Sequence, residues 1–296
     1  MRDLFLAGPV TEVCAWCGAP AEGSVRLRGR RRCAACGAAT IDPWPSEEEL
    51  ARAYGAWYRP ESGRRFAVAG DALLRRTRAA LARRLDRIAP PGPVLDVGAG
   101  EGVLVEALRR RGRETVGLER EDETLDRIEG EWAAVVFWHS LEHLPEPGDA
   151  IRHAARLLVP GGVVVVAVPD SASLQARAFG DRWLHLDPPR HLVHLTESAL
   201  AERLERCGFS VERTSHVRGG QIAIGWLDGL VGSLPGGLDL YQSLRSAPAR
   251  SAPVSRGRRA AAVAAGALLA PVALACAGVE VALRRSGTVY VEARRG

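Results

Sequence analysis

Short apolar runs alternate with amphipathic stretches along most of this chain, and the alternation predicts its fold. Apolar runs between turn residues predict buried strands, whereas apolar positions three and four residues apart predict helices. The predicted strands are Val94–Val97, Thr115–Leu118, 133–138, 163–168, 209–217 and 288–294. The predicted helices among them are 103–111, 149–158 and 196–207. Strands and helices that alternate at this pitch predict a doubly wound α/β sheet of mainly parallel strands.

The boundaries of several helices are indicated by their capping and breaking residues. Ser46 is followed three residues later by Glu49, which is the spacing of a capping box, so a helix is expected to begin after Ser46. Leucines at helical spacing with arginines between them predict an amphipathic helix over 71–88. The run Pro160-Gly161-Gly162 is expected to separate the helix 149–158 from the strand that follows it.

Changes in composition divide the chain into four predicted parts. The first part holds four of the six cysteines and little apolar periodicity, so a metal is a better explanation of its stability than a hydrophobic core. The predicted parts are a zinc-ribbon module over 1–45, a helical linker region over 46–90, a main α/β domain over 91–217 and 286–296, and an apolar helical insertion over 218–285.

The cysteines of the first part form two Cys-x2-Cys pairs, with 15 residues between the pairs. This spacing predicts a structural zinc site whose ligands are Cys14, Cys17, Cys33 and Cys36. Four thiolates leave no open coordination position, which argues against a catalytic metal. A redox-active dithiol is the alternative interpretation.

Charge alters this picture little. The net charge is +5, and every basic residue is Arg, so the composition itself explains much of the basic character. This modest excess of positive charge argues against a nucleic-acid partner. Because of Arg26, Arg28 and the arginines at 30–32, an RNA-binding module is still an alternative interpretation. The apolar run before Gly8-Pro9 is too short for a secretory signal, so we expect a cytoplasmic protein.

The strand Val94–Val97 leads directly into a glycine-rich turn. Gly98, Gly100 and Gly102 permit positive φ angles and remove side chains from the path of a ligand. The next predicted strand ends before Glu119, whose carboxylate can accept hydrogen bonds from both hydroxyls of a ribose. Together the turn and this carboxylate predict a nucleoside-binding site.

At this point the sequence resembles a known family. Residues 94–102, Glu119 and the segment Phe-Trp-His-Ser-Leu-Glu-His-Leu at 137–144 resemble class I S-adenosylmethionine-dependent methyltransferases of the small-molecule and natural-product group. The cysteine-containing leader and the segment 189–196 are also similar to this group. The resemblance implies S-adenosylmethionine as cofactor, with the glycine turn at its methionine part and Glu119 at its ribose. The implied cofactor-binding residues are Asp96, Gly98, Gly100, Gly102, Glu119, Trp138 and His139.

The chain departs from the family in one place. Only the 13 residues 120–132 separate Glu119 from the fourth strand, where the family has a helix, a third strand and an acid near the adenine. We therefore expect a Rossmann-like methyltransferase sheet without its third, edge strand. Asp122 or Asp126 is the candidate replacement for the missing acid.

Histidines follow the strand 133–138, at the sheet edge where such folds bind ligands. A neutral imidazole can accept the proton that an acceptor hydroxyl loses during methylation, so His139 and His191 are the candidate catalytic bases. Glu142 and His143 are equally well explained as residues that cap a helical turn. The spacing His-x-x-Glu-His is similar to a metal site of some methyltransferases, and His191 with His194 could complete it.

Residues 260–282 are almost entirely apolar and are flanked by arginines. The segment is long enough to cross a bilayer, but the strand 288–294 must return to the sheet, so a helix or helical hairpin in one leaflet fits better. A helical cover without lipid contact is the alternative. We therefore expect peripheral membrane contact through 260–282, or an apolar cover over the substrate entrance.

The predicted activity is methyl transfer from S-adenosylmethionine to a small-molecule, saccharide or lipid-linked acceptor. Two alternatives stay open at this point. One is a non-catalytic binding protein that kept the methyltransferase fold, and the other is an RNA methyltransferase whose zinc ribbon binds RNA.

Overall fold

The computed structural model describes residues 12–27, 29–55, 57–58, 68–119, 125–217 and 221–296. Its main sheet contains β4 (Val94–Val97), β5 (Thr115–Leu118), β6 (Trp132–Trp138), β7 (Leu158–Pro169), β9 (Phe209–Ser215) and β10 (Thr288–Arg295). A smaller sheet contains β1 (Val25–Leu27), β2 (Arg30–Arg32), β3 (Ala39–Ile41) and β8 (Val193–His194). The helices are α1 (Glu47–Ala53), α2 (Val68–Ile88), α3 (Val103–Arg109), α4 (Pro147–Leu157), α5 (Leu174–Phe179), α6 (Glu197–Arg206), α7 (Gln221–Gly232), α8 (Leu240–Leu244) and α9 (Arg256–Ala282).

The strands of the main sheet follow the order β5-β4-β6-β7-β10-β9. The first four are parallel to one another, and β10 runs antiparallel between β7 and β9. This arrangement confirms the predicted doubly wound α/β sheet. The parallel strands have all their carboxyl ends at one edge, which is where the glycine turn and the histidines lie.

Helices cover both faces of this sheet, because successive side chains of each strand point to opposite faces. Val135 and Phe137 of β6 pack into the core beneath α4 and α6. Val136, between them, packs into a second core together with Leu85 of α2 and Leu108 of α3. The central strands β4 and β6 are therefore buried on both sides of the sheet, as their apolar sequences require.

The strand β7 begins earlier than the sequence indicates. We expected Pro160-Gly161-Gly162 to interrupt the chain between α4 and the strand, but β7 starts directly after α4, at Leu158. Trp132 pairs with Leu158, and Ala134 pairs with Val163, so the proline and glycines lie in an irregularity of the ladder. Pro and Gly are tolerated there because these positions need not donate regular ladder hydrogen bonds.

The edge of the sheet at β5 agrees with the expected loss of the third strand. Residues 125–131, the described part of the connection to β6, contain one turn of 3₁₀ helix at Leu125–Arg127 and no strand. In the described part of the chain, β5 therefore pairs with β4 alone. Leu125 is buried in the main core and anchors this short connection.

The cysteine-containing part is attached to the main domain at two places. Its strand β3 pairs with β8, which belongs to the loop after the main sheet's fourth parallel strand. Trp16 is buried, and its indole Nε1 donates a hydrogen bond to the carbonyl of Ala199 in α6. This part of the protein therefore supports the loop that carries His191.

The predicted apolar segment is one continuous helix rather than a hairpin. The helix α9 begins at the N-cap Ser255 and passes through Pro271 without interruption. It packs against α7 and α8, and Ala262 lies in a small core with Val231 and Leu240. The chain then enters β10 after only a short turn, as the sequence predicts.

Candidate active site

The glycine turn between β4 and α3 requires glycine by geometry. Gly98, Gly100 and Gly102 have φ angles of 80°, 64° and 68°. A Cβ atom on Gly98 would lie 2.4 Å from the Cβ of Ser140, the first residue after His139. The Ser140 hydroxyl in turn donates a hydrogen bond to the carbonyl of Val97. The turn is therefore packed closely against the histidine-containing segment that follows β6.

Asp96 is buried at the end of β4, directly before this turn. Only 3% of it is exposed, and burial raises the pKa of its carboxyl group to about 7. The positive charge of Arg78 opposes this rise in pKa, and the nearby carboxylate of Glu119 adds to it. The carboxyl group of Asp96 therefore ionises close to pH 7. It lies where the resemblance predicts S-adenosylmethionine, which is a cationic cofactor.

Glu119 follows β5 and lies beside the same turn. Its carboxylate accepts a hydrogen bond from the backbone N–H of Gly100. The structure therefore brings together the predicted cofactor residues at the ends of β4 and β5, which are neighbouring parallel strands. This set of a glycine cradle and two carboxylates suits a nucleoside that carries positive charge.

Trp138 is the last residue of β6, and His139 follows it directly. The Trp138 ring lies 4.6 Å from the guanidinium carbon of Arg78 and 5.9 Å from the ring of Tyr290. His139 has a φ angle of 52°, which is a strained conformation for a residue other than glycine. Its backbone N–H is fixed by the carbonyl of Ala167 in β7 at 2.8 Å. The sheet thus holds His139 in a costly conformation at its ligand-binding edge.

Glu142 is the centre of a buried polar cluster beside His139. Its Oε1 atom lies 3.5 Å from Nδ1 of His139 and 3.9 Å from Nε2 of His191. Burial opposes ionisation of Glu142, yet the neighbouring His139 and His143 hold the pKa of its carboxyl group below the ordinary value. Both carboxylate oxygens are buried without a hydrogen bond of good geometry among the described residues.

His191 is held in one orientation by the loop that precedes β8. Its Nδ1 atom lies 2.8 Å from the carbonyl oxygen of His185 and donates to it, so its Nε2 atom carries the lone pair. That Nε2 atom lies 3.6 Å from a carboxylate oxygen of Asp187. Burial and the neighbouring His143 lower the pKa of His191 well below its ordinary value, so the imidazole is neutral at pH 7.

His143 completes the cluster. Its Nδ1 atom is 2.9 Å from the carbonyl of Arg190 and 3.0 Å from the hydroxyl of Tyr54. One ligand atom each from Glu142, His143 and His191 lies within 4.8 Å of the others. An arrangement of one carboxylate and two imidazoles can bind a proton or a divalent cation.

Sequence reasoning missed two residues that lie beside this cluster, His185 and Asp187. His185 is buried, its carbonyl oxygen accepts the hydrogen bond from His191, and its Nε2 atom lacks a hydrogen bond among the described residues. Asp187 bridges His191 and Arg190, and its φ angle is 36°. The run of charged and imidazole side chains at 185–194 is the signal that could have identified the whole loop.

The four predicted zinc ligands converge in the N-terminal part. The Sγ atoms of Cys14 and Cys36 are 3.8 Å apart, and those of Cys17 and Cys33 are also 3.8 Å apart. A tetrahedral zinc ion with Zn–S bonds of about 2.3 Å places its sulfur ligands roughly 3.8 Å from one another. A hydrogen bond with Cys36 and the backbone amides of the turn lower the pKa of the Cys14 thiol to about 5.

The candidate replacements for the missing adenine acid have different positions. Asp122 lies outside the described residues. Asp126 is in the 3₁₀ turn near His153 of α4. Burial lowers the pKa of His153, and the charge of Asp126 opposes this lowering. Its role at an adenine ring stays a prediction.

Comparison with known families agrees with this geometry. Residues 71–214 match the profile of a methyltransferase-domain family. The matched range begins in α2 and ends in β9, so it includes the glycine turn, Glu119 and the whole Glu142 cluster. This part of the chain, just under half of its 296 residues, is therefore similar to a methyltransferase domain.

Curated relatives match a shorter part of the chain. The ubiquinone biosynthesis O-methyltransferase of Alkalilimnicola ehrlichii is 32% identical over 24% of this chain and 39% of its own length. The protein of the same name from Erwinia tasmaniensis is 31% identical over 24% of this chain and 40% of its own. The chain thus spans about two fifths of the length of these relatives. A solved structure of a putative sarcosine dimethylglycine methyltransferase from Galdieria sulphuraria is 13% identical, with 75% of this chain and 85% of that one covered and a TM-score of 0.47.

Proposed function

We propose that this protein transfers the methyl group of S-adenosylmethionine to a small-molecule acceptor. The observation that carries the proposal is the juxtaposition of buried Asp96, the glycine turn and Glu119 at the ends of β4 and β5. The cofactor, when bound, supplies an electrophilic methyl group on a sulfonium. The chain itself supplies position, charge and a route for the acceptor's proton.

The residues proposed to hold the cofactor are those that the resemblance implies. Gly98, Gly100 and Gly102 supply backbone that a ligand can approach closely, and Asp96 faces the cationic part. The Glu119 carboxylate can accept hydrogen bonds from the ribose hydroxyls, either in place of the hydrogen bond from the Gly100 N–H or in addition to it. Trp138 and His139 close the site from the side of β6.

We propose His139 as the base that accepts the acceptor's proton. It is the less buried of the two candidate histidines, and Glu142 lies next to its Nδ1 atom, which leaves Nε2 to accept. Glu142 is then a positioning residue that stabilises the protonated imidazole. His191 is the weaker candidate, because a strongly lowered pKa makes its imidazole a poor base.

The acceptor class is supported by the relatives and by α9. Both relatives are named O-methyltransferases of ubiquinone biosynthesis, which supports an oxygen atom of a small molecule as the methylated position. Among small-molecule, saccharide and lipid-linked acceptors we place the lipid-linked class first, because α9 presents an exposed apolar surface. Peripheral membrane contact through residues 260–282 would bring the site to such an acceptor.

We further propose that Cys14, Cys17, Cys33 and Cys36 hold a structural zinc ion. The spacing of their sulfur atoms supports this assignment. The proposed ion would stabilise the part of the chain that pairs with β8 and thereby the loop of His191.

Cofactor binding is the first experiment. Calorimetry and thermal unfolding of the full chain should show binding of S-adenosylmethionine to the wild type and none to Gly100→Arg. Gly112→Arg is a matched control, since Gly112 also has a positive φ angle but lies in the turn after α3 with no neighbour within 4 Å. Absence of heat and of thermal stabilisation in the wild type would favour the non-catalytic alternative.

Methyl transfer is the second experiment. A panel of phenolic, saccharide and prenylated acceptors is incubated with cofactor that carries a labelled methyl group. His139→Asn should lower kcat by about a hundredfold, which is within the usual contribution of a general base. His153→Asn is the matched control, because His153 lies on α4 away from the glycine turn. An unchanged kcat in His139→Asn would remove His139 from the mechanism while leaving the cofactor site intact.

A further inference from the structure

The outward surface of α9 is apolar along nearly the whole helix. Every exposed position from 260 to 283 is Ala, Gly, Pro, Val or Leu. We call these residues the outer face of α9. Its largest side chains are strongly exposed: Leu268 is 80% exposed and Leu274 is 63% exposed. Val263, Val272, Val279 and Leu283 are also exposed.

This face is unusual for a helix in contact with water. A surface helix normally places charged and polar residues on the side away from the core. The outer face instead extends over 24 positions, which corresponds to roughly 36 Å of helix. A continuous exposed apolar strip of this length marks a surface that is covered in the working state of the protein.

Charged residues near the outer face are confined to its two ends and have one sign. Arg256, Arg258 and Arg259 lie in the first turn of α9, and Arg284 and Arg285 follow its last turn. The single acid of the helix, Glu280, faces inward and is fully buried. An apolar strip between two groups of arginines is complementary to a surface with an apolar interior and anionic groups at its boundary.

The attachment of α9 determines its orientation on such a surface. Near its C-terminal end, Glu280 accepts hydrogen bonds from the backbone N–H and side-chain amide of Gln175 and from the indole of Trp226. Nearer its N-terminal end, Gly266 contacts Leu240 of α8. Both ends are therefore fixed to the same side of the domain, so the helix lies along a membrane rather than across it.

Pairing with a second copy of the chain fits this surface less well. The same charge is present at both ends of the helix, so two outer faces place arginines against arginines whether the helices run parallel or antiparallel. Like charges that face each other across an interface oppose association. Anionic phosphate groups remove this repulsion.

We infer that the outer face of α9 seats the protein on an anionic lipid bilayer. The helix lies in the plane of the interface, with its aliphatic side chains among the acyl chains. Arg256, Arg284 and Arg285 lie at lipid phosphates, whereas Arg258 and Arg259 donate hydrogen bonds to backbone carbonyls of the domain. This inference is independent of methyl transfer, since it depends only on the surface of α9. In combination with the proposed function, it places the site beside acceptors that are dissolved in the membrane.

Vesicle co-sedimentation of the full chain tests the inference. The wild type should bind vesicles of phosphatidylcholine with phosphatidylglycerol and bind weakly to phosphatidylcholine alone. The double variant Leu268→Glu, Leu274→Glu should lose at least about tenfold in affinity, since two leucine side chains leave the acyl region. The matched control is Val25→Glu with Leu73→Glu, which changes the charge equally at two exposed apolar residues elsewhere. Circular dichroism and thermal unfolding establish that both variants are folded.

Three results would overturn the inference. The first is equal binding by wild type and the Leu268, Leu274 variant, and the second is no binding of wild type to either vesicle. The third is a wild-type dimer in sedimentation velocity that this variant converts to monomer, which would assign the face to a second copy.

Tryptophans introduced singly by Val263→Trp, Leu268→Trp and Leu283→Trp should be quenched at one common depth by brominated lipids. A gradient of depth would contradict the in-plane orientation.

Discussion

The carboxylate of Glu119 accepts the backbone N–H of Gly100, so the end of β5 is tied directly to the glycine turn that follows β4. This contact joins two residues that are 19 positions apart in sequence and that the sequence predicts to lie at one nucleoside-binding site. It also places a second carboxylate near Asp96, and this charge adds to the rise in the pKa of Asp96 that burial causes. The affinity for the proposed cofactor should therefore depend on both acids.

Replacement of Glu119 tests the first of these acids. Glu119→Ala should weaken binding of S-adenosylmethionine by about tenfold or more, because a hydrogen bond to a charged group contributes roughly 1.5–3 kcal/mol. Isothermal calorimetry measures the change. Glu114→Ala, an exposed acid just before the other end of β5, should change the affinity little. Equal losses in the two variants would mean that general charge, rather than the contact at Gly100, governs binding.

The close approach of Gly98 to Ser140 gives a second prediction. Gly98→Ala should lower both stability and cofactor affinity, because its Cβ would meet Ser140 at 2.4 Å in addition to the cost of a positive φ angle. Gly112→Ala is a matched control, with a φ angle of 79° against 80° for Gly98 and no neighbour within 4 Å. Thermal unfolding should show the larger loss for Gly98→Ala. If the two losses match, backbone strain alone accounts for the effect and the packing argument fails.

Much of the sheet could be predicted because its central strands are buried on both faces. Val94–Val97 has the predicted bounds, and all four of its residues are buried. Thr115–Leu118, at the edge of the sheet, also has the predicted bounds although Val116 is exposed. The predicted start of β7 was wrong. Proline and glycine normally end a regular element, whereas here an irregular part of the β-ladder accommodates them. Local residue chemistry does not distinguish these two outcomes.

The candidate site likewise contains residues whose position the sequence predicts and residues whose position it does not predict. The glycine turn and Glu119 follow strands directly, so their place at the sheet edge could be inferred from the chain order. The Glu142 cluster could not be inferred in this way. His191 lies near Glu142 only in the folded protein, and the carbonyl of His185 fixes its orientation. Contacts between residues this far apart depend on loop conformation, for which the sequence carries no periodic signal.

The raised pKa of Asp96 predicts a dependence of cofactor binding on pH. The cofactor carries a sulfonium and an ammonium group, so it should bind better to ionised Asp96. Affinity should rise by roughly tenfold between about pH 6 and pH 8, as the carboxyl group ionises around its pKa of about 7. Asp96→Asn should flatten this dependence, and calorimetry at several pH values measures it. A rise of the same size in Asp96→Asn would assign the titration to another group.

For the protein without cofactor, the raised pKa of Asp96 predicts a loss of folding stability as pH rises. The folded-state pKa of about 7 lies above the ordinary value of 3.8 for an aspartate, so the folded state binds the proton more tightly than the unfolded state. The contribution of neutral Asp96 to stability is complete below the unfolded pKa and is lost as pH rises through about 7. Denaturant unfolding should show this loss in the wild type and not in Asp96→Asn.

Metal removal should affect turnover more than cofactor binding, because the cysteine-containing part lies against the loop of His191. Its strand β3 pairs with β8, and Trp16, 1% exposed, is buried against α6. Cys33→Ser should release the proposed zinc and lower the melting temperature, since exposing a buried Trp costs on the order of 3 kcal/mol. The variant should still bind S-adenosylmethionine, because the glycine turn lies at the ends of other strands.

Zinc content by mass spectrometry, melting temperature, cofactor affinity and kcat are measured together on Cys33→Ser and on Cys207→Ser. Cys207 is a partly buried thiol outside the cluster, so its replacement should leave the zinc content unchanged. A full complement of zinc in Cys33→Ser would remove that residue from the ligand set. Loss of cofactor affinity in parallel with kcat would show instead that the metal supports the whole domain, and the proposed division between a cofactor side and an acceptor side would be wrong.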